Sequence, residues 1–414
     1  MRSLTYKELL TGNRNFRNLL AGQFVSEMGN WFNFIAGLGL VRVVSEASPA
    51  AAGILFVCRL LPFAIFSPIA GTFVDRFSRR TAMIVSDLVR AAVAMLFLLV
   101  SRPEELWIAY LATAVLSAFG AFFEGAKNAA TPNLTGKEGL LAGTALMFST
   151  RFLLMAIGSA LGGWAAAAFG YKVAFVINAV SFLISAASVW LIPEEAVRES
   201  TTAERSERPS FFGELTEGLK YAVQNRFALT ILIMNVIWAT GGGAINIVFE
   251  RMGGVFFART ENWNPDEAVA ALWTASGLGL FLGMMIAHRT AGYLDRAKNH
   301  RAFIGWTLII HGVLFAAAGV LPGIWIFLLL TFVSRAVVGV EYAVQETMFQ
   351  RSLPDFIRGR ISTLDRGAEV TMFSLSSYLA SLAIYEISPQ SLTVISGLLA
   401  GSSGLVWFFR TSRS

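Results

Sequence analysis

Charge is scarce in this 414-residue chain, where Asp, Glu, Lys and Arg make up 14% against about 25% in soluble domains. That deficit excludes an array of ordinary water-soluble domains. A single Cys excludes a disulfide framework, and that Cys with three His leaves too few ligands for a metal centre. No Gly-x-x-x-x-Gly-Lys-Ser/Thr sequence occurs, which removes direct ATP drive. The scattered His and Cys supply no nucleophile and base constellation, so no enzyme and no cofactor are expected. No nucleic-acid partner is expected either.

What is abundant is apolar: 55% hydrophobic residues, with 34 Phe, 10 Trp and 37 Gly, and a mean hydropathy of +0.60. A spanning helix needs about 20 apolar residues. Such stretches fall at 16–42, 50–74, 81–100, 105–130, 139–169, 171–192, 227–258, 268–293, 302–320, 323–349, 361–386 and 389–410. The fold class expected is therefore an all-α membrane protein with twelve transmembrane helices. The polar, basic lead-in 1–15 lacks a cleavage site and reads as cytoplasmic rather than as a signal peptide. With both termini inside, 23 of the 33 Lys and Arg fall in cytoplasmic segments. Five (Arg42, Arg102, Lys172, Arg251 and Arg259) fall in outer loops, and five (Arg59, Arg90, Arg151, Arg335 and Arg366) within helices. This bias orients the chain with both termini cytoplasmic, in a plasma (inner) membrane.

The longest polar stretch, 193–225, separates a six-helix bundle at 1–192 from another at 226–414. Within it Phe212, Leu215, Leu219 and Val223 have helical spacing beside Glu214, Glu217 and Lys220, as in an amphipathic helix lying on a membrane. The halves repeat. Asp75-Arg76 and Asp295-Arg296 lie 220 residues apart, and Glu124 and Pro132 recur as Glu346 and Pro354 at 222. Parallel repeats of this kind place a substrate path at their interface.

Gly71-x-x-x-Asp75-Arg76-x-x-Arg79-Arg80 after the second helix, with twelve helices in two sixes, resembles the major facilitator superfamily. Gly158-Ser159-Ala160-Leu161-Gly162-Gly163 resembles the end of the antiporter motif of its drug-exporting branches, with Ser159 for the usual Pro and Leu154 for the upstream Gly. The stretch from Phe175 to Leu183, with Asn178 and Ser181, and the Asn15-Phe16-Arg17 lead-in resemble the macrolide-efflux and siderophore-exporter branch. The resemblance implies alternating access, with helices one, four, seven and ten lining a cavity. It also implies that Asp75 and Arg76 latch one half against the other at the cytoplasmic side. Arg79 and Arg80 either join that latch or anchor topology on anionic headgroups.

Other gate candidates follow from position. Asp87 and Arg90 stand at i, i+3 in helix three, as do Glu124 and Lys127 in helix four. Glu346 repeats Glu124, and Asp365 and Glu369 share a face of helix eleven beside Arg366. Gly158, Gly162 and Gly163 permit close helix packing.

Ionisable groups at mid-membrane are functional candidates. Gln23, Glu27, Asn30 and Phe34 form one polar face of helix one. Glu27 either couples protons, binds a cationic group, or pairs permanently with Arg59 or Arg151. Those two arginines suit carboxylate or phosphate. Arg335 and Glu341 are the corresponding candidates of the second half. In helix seven Asn235, Trp238 and Thr240-Gly241-Gly242-Gly243 predict a break exposing backbone to a cavity, and His311 reads as a packed histidine. The expectation is proton-coupled export of amphipathic small molecules, drugs or siderophore-like compounds, by a monomer. A lysophospholipid flippase and a nutrient importer are the alternatives. Membrane lipids and protons are the other partners.

Overall fold

The computed structural model describes residues 4–74, 78–197, 211–297 and 299–412, and it is helical throughout among them. It resolves into two compact units, 1–47 with 58–206 and 48–57 with 207–414.

In the first unit α1 (Tyr6–Gly12) opens with a capping box from Thr5 and Glu8. It leads into α2 (Arg14–Val44), α3 (Pro49–Val74, of which 49–57 count with the second unit), α4 (Arg79–Ala94), α5 (Leu106–Phe169), α6 (Tyr171–Trp190) and a single turn, α7 (Glu194–Val197). Helix α2 packs on α5 and α6, and α4 packs on the same pair. The two helices expected at 105–130 and 139–169 are present as separate spans, Pro103–Gly136 and Glu138–Phe169, which α5 joins across a sharp kink. The break between them is Gly136, at φ +65°, a backbone conformation that glycine adopts without strain.

Small residues set the spacing of these helices. Gly158 lies where a Cβ would come 2.7 Å from the Trp31 Cβ, and one at Gly162 would come 3.0 Å from the Phe32 Cα. Gly163 is buried. A Cβ at Gly29 would collide with the Ser181 side chain and approach Asn178 Oδ1 to 2.8 Å. Gly29→Ala is therefore expected to cost about 1–3 kcal/mol, read as a lowered thermal unfolding midpoint of the purified protein.

The second unit holds α8 (Phe211–Gln224), α9 (Arg226–Arg251), a π-helical turn (Met252–Phe257), α10 (Ala258–Thr260), α11 (Pro265–Ala297), α12 (His300–Val320), α13 (Ile324–Ser352), α14 (Asp355–Ala383) and α15 (Pro389–Thr411). Helix α9 packs against α14 and α15, α12 against α13 and α15, and α11 against α13. The amphipathic segment of the 193–225 stretch is helix α8. It is tied to α14 by Glu217 and Arg360 at 2.7 Å, while Leu219 and Val223 remain exposed.

Ten of the described helical spans are long and apolar enough to cross a membrane. Two long helices expected to span, α2 and α14, fall outside that set. The reason is visible in their side chains: α2 carries Gln23, Glu27, Asn30 and Asn33 through its middle, and α14 carries Arg358, Arg360, Asp365, Arg366 and Glu369.

Three expectations are corrected here. The Thr240–Gly243 run does not break α9, which is continuous from Arg226 to Arg251. Its glycines admit neighbouring helices instead: Gly241 meets the α15 backbone, Gly242 the Phe373 ring, and Gly243 the α14 backbone. Arg42 and Arg251, expected in outer loops, are 7% and 4% exposed in the last turns of α2 and α9. Arg251 Nε lies 2.8 Å from Glu250 Oε2, also buried, because the helix runs on into the π turn.

Candidate functional site

Polar side chains concentrate in one region of each unit. In the first, Arg59 of α3 lies over the Phe34 ring, its guanidinium carbon 4.1 Å from the centroid and 5.7 Å from that of Trp31. Phe34 and Trp31 themselves meet edge to face at 5.4 Å. Arg59 is within electrostatic reach of both Glu27 and Arg151. Of the alternatives for Glu27, the permanent pair is not formed: no direct ion pair joins Glu27 to Arg59 or Arg151 among the described residues. A guanidinium on an aromatic face keeps part of its solvation by cation–π attraction, which holds Arg59 without consuming the Glu27 carboxylate. Glu27 and Asn30 are half-buried, whereas Gln23 is buried, its amide donating to the Met147 carbonyl of α5 at 3.4 Å.

Residues assigned to a gate continue this charged region. Lys127 donates to Glu124 at 2.6 Å, and Glu124 feels Arg151 and Arg90 as well. Asp87 and Arg90 form a buried pair. Arg79 donates to the carbonyls of Ala129 at 3.0 Å and Val197 at 3.2 Å, and Arg80 donates to that of Trp190 at 2.5 Å. Val197 and Trp190 end α7 and α6, so each arginine satisfies a carbonyl at a helix end of its own unit. Asp75 and Arg76 lie outside the described residues, as do the side chains of Asp295 and Arg296 and the surroundings of Gly71.

In the second unit Asn235 of α9 donates its amide to both Asp365 oxygens, at 2.9 and 3.1 Å, and accepts at 2.9 Å from Gln345 of α13. The Gln345 bond fixes the orientation of the Asn235 amide and aims its NH₂ at the carboxylate. Arg366 pairs with Glu369 at 3.1 Å, and Gln350 donates to Glu346 at 2.6 Å. A narrow crevice lies among Asn235, Trp238, Glu341, Tyr342, Gln345 and Glu369, closed by Leu308 and Val338. In this conformation it admits little more than a water molecule. Glu341 is 3% exposed and its Oε1 has no hydrogen-bond partner. Trp238 packs edge to face on Phe373 at 5.4 Å.

The structure thus brings Asn235, Trp238 and Glu341 together, and adds Glu369, expected at a gate. Arg335 is elsewhere: it is buried towards α11 and α12, near His311. His311 is fully buried, with Nδ1 2.6 Å from Ser334 Oγ. Tyr342 and Gln345 were missed by sequence reasoning, although Glu341 and Gln345 stand at i, i+4 and share a helix face. Asn235→Ala would strand the Asp365 carboxylate and the Gln345 amide. The expected cost is about 1–3 kcal/mol, measured by thermal unfolding in detergent beside Asn246→Ala, which removes only one bond, to Ser377.

With this arrangement established, the family model for the Major Facilitator Superfamily matches residues 19–310. The chain belongs to that superfamily. Macrolide efflux protein A of Streptococcus pyogenes is 24% identical over 408 residues, covering 96% of this chain and 92% of that protein. The multidrug efflux pump Tap of Mycolicibacterium fortuitum is 25% identical over 403 residues, covering 94% and 89%. Among solved structures, the nucleoside transporter NupG superposes with a TM-score of 0.71 at 13% identity, covering 96% of this chain and 98% of that one. A bacterial homologue of the iron transporter ferroportin gives 0.70 at 15%, covering 95% and 98%. These structural likenesses define the fold, and membership of a transporter superfamily with ten candidate spans among the described residues makes this an integral, multi-pass membrane protein that transports a small molecule.

Proposed function

We propose that this protein is a secondary active transporter that exports amphipathic small molecules, drugs or siderophore-like compounds, in exchange for protons by alternating access. The observation that carries the reading is the pair of interior polar regions set in otherwise apolar helices. Glu27 and Arg59 make one, with the exposed Arg151 within electrostatic reach of Arg59, and the Glu341 crevice makes the other. Such groups are expensive in a bilayer and mark ion and substrate paths. The similarity to macrolide and multidrug efflux proteins supports a greasy substrate. In this reading α2 and α14 complete a set of twelve spans, and their polar faces line the path. Bundles at 1–192 and 226–414 flank the 193–225 connector, both termini are cytoplasmic, and the monomer sits in the plasma membrane. Asp75, Arg76, Asp295 and Arg296 form the cytoplasmic latch.

A second reading, a lysophospholipid flippase, draws on Arg59, which has aromatic rings rather than a carboxylate against its guanidinium and would receive a phosphate. Sealed liposomes holding the purified protein and a pH-sensitive dye separate the two. Amphipathic drugs or chelators should evoke proton movement that Glu27→Gln diminishes. Silence across such a panel, with lysolipid still crossing the bilayer, would overturn export in favour of the flippase.

A further inference from the structure

Three arginines far apart in the sequence meet at one end of the second unit. Arg226 opens α9, Arg301 lies in the first turn of α12 and Arg410 in the last turn of α15, each at the terminus of an apolar span. Arg226 donates to the Arg410 carbonyl at 2.8 Å, Arg301 donates to the Phe408 carbonyl at 3.4 Å, and Arg410 Nε donates to Thr230 Oγ1 at 3.1 Å. All three are gathered around the last turn of α15, Arg301 on its α12 side and Arg226 with Arg410 on its α9 side. The Trp407 indole, donating to the Arg301 carbonyl at 2.8 Å, ties the start of α12 to the same turn.

Their own helices supply no balancing acid. Helices α12 and α15 contain no Asp or Glu, and α9 has none before Glu250 at its far end. On the adjoining α8, Lys220 is exposed and Glu217 is engaged by Arg360 at 2.7 Å. No ion pair reaches Arg301 or Arg410 among the described residues. Each commits one of the five N–H donors of its guanidinium to the bonds above, so both keep donors for phosphate oxygens. Closing the end of α15 needs those single donors alone; a cluster of guanidiniums at the depth of the headgroups does more, because each basic side chain there favours anionic lipid.

Beneath the arginines the surface fits acyl chains. Helices α12 and α15 pack side by side, exposing Trp306 and Val313 at i, i+7 from one and Leu398, Leu405 and Phe409 at i, i+7, i+11 from the other. Trp306 meets Phe408 edge to face at 5.7 Å. It stands about one turn inside Arg301, the depth at which interfacial tryptophans lie. This apolar strip accepts any lipid tail; the arginines select the headgroup.

We infer that the ends of α9, α12 and α15 form a docking site for an anionic phospholipid whose headgroup carries two phosphates, of the diphosphatidylglycerol class. Arg301 takes one phosphate, Arg226 and Arg410 take the other, and the chains lie along α12 and α15. The Phe408 and Arg410 carbonyls that fix these guanidiniums lie within one helix turn, about 5 Å of rise, so one headgroup reaches both positions. Three guanidiniums are also better matched by two phosphate charges than by one. The site belongs wholly to the second unit and is independent of what the protein exports.

The test is native mass spectrometry of the full-length protein in detergent with cardiolipin, phosphatidylglycerol or phosphatidylcholine added. The wild type should retain one cardiolipin at concentrations where it retains neither of the others. Arg301→Gln should weaken that retention about fivefold, and Arg301→Gln with Arg410→Gln about twentyfold or more. Arg259→Gln, at an exposed arginine towards the opposite end of the same unit, should behave as the wild type. Undiminished retention in the double variant would overturn the inference, as would equal wild-type affinity for cardiolipin and phosphatidylglycerol. If the double variant is not monodisperse, the wild type and Trp306→Phe decide it in vesicles of phosphatidylcholine containing a small fraction of lipid with brominated chains. Brominated cardiolipin should quench a tryptophan emission that Trp306→Phe removes, and the same fraction of brominated phosphatidylcholine should not; equal quenching by the two would overturn the site.

Discussion

Asp87→Ala is expected to destabilise the protein by about 3–5 kcal/mol, because it removes one partner of a buried ion pair and leaves the other charge uncompensated. Asp87 is 0% exposed and Arg90 4%. The Arg90 guanidinium is held 4.7 Å from the Phe123 ring centroid and 4.3 Å from that of Phe182, on α5 and α6, so it has no route to water without separating those helices from α4. The rings alone cannot replace the carboxylate, since a desolvated cation–π contact is worth about 2 kcal/mol. The double substitution Asp87→Ala with Arg90→Met removes both charges and should recover much of the loss. Chemical unfolding of the single and double variants in detergent measures this directly. Additive losses would mean that the pair is not the brace its burial implies, and would return Asp87 and Arg90 to a purely gating role.

Gly241→Val should have an effect of similar size for a different reason. A Cβ at this position on α9 would collide with the Ser396 carbonyl oxygen and approach the Ala400 nitrogen to 2.5 Å and its Cβ to 2.7 Å. Backbone cannot rotate away as a side chain can, so α9 and α15 must part. Overpacking typically costs about 1–3 kcal/mol, and valine exceeds the single methyl that already fails to fit. The expected result is a sharp fall in the yield of monodisperse protein and in its unfolding temperature. Gly120→Ala is the control: nothing lies within 4 Å of its Cβ, and alanine favours the helix by about 0.5–1 kcal/mol. Equal behaviour of the two variants would contradict the packing described.

The same glycines mark where sequence reasoning ran out. Thr240–Gly243 reads as a helix break because consecutive glycines weaken a helix in water. In a packed bundle, their missing side chains let α14 and α15 come close enough for Ser376 and Ser377 to reach the Thr240 and Gly243 carbonyls. Arg251 was expected in a loop because charge ends an apolar stretch, yet the π turn carries the helix onward and buries it. Residue type and depth pointed to Glu27, Arg59 and Arg151, and to Asn235, Trp238 and Glu341. They could not give the partners. That Arg59 would rest on Phe34, or that Asn235 would clasp Asp365 from a helix 130 residues away in sequence, depends on helix rotation, which apolar periodicity in a membrane protein constrains weakly because lipid-facing and packed faces are both apolar.

The central claim, export driven by a proton gradient, is tested most directly in everted membrane vesicles containing the protein, by following a labelled macrolide after an acid-inside pH gradient is imposed. The account predicts accumulation inside the vesicles that collapses when a protonophore is added and is lost in a variant lacking both Glu27 and Glu341 carboxylates. Accumulation that is unaffected by the protonophore, or that proceeds equally in that variant, would contradict it.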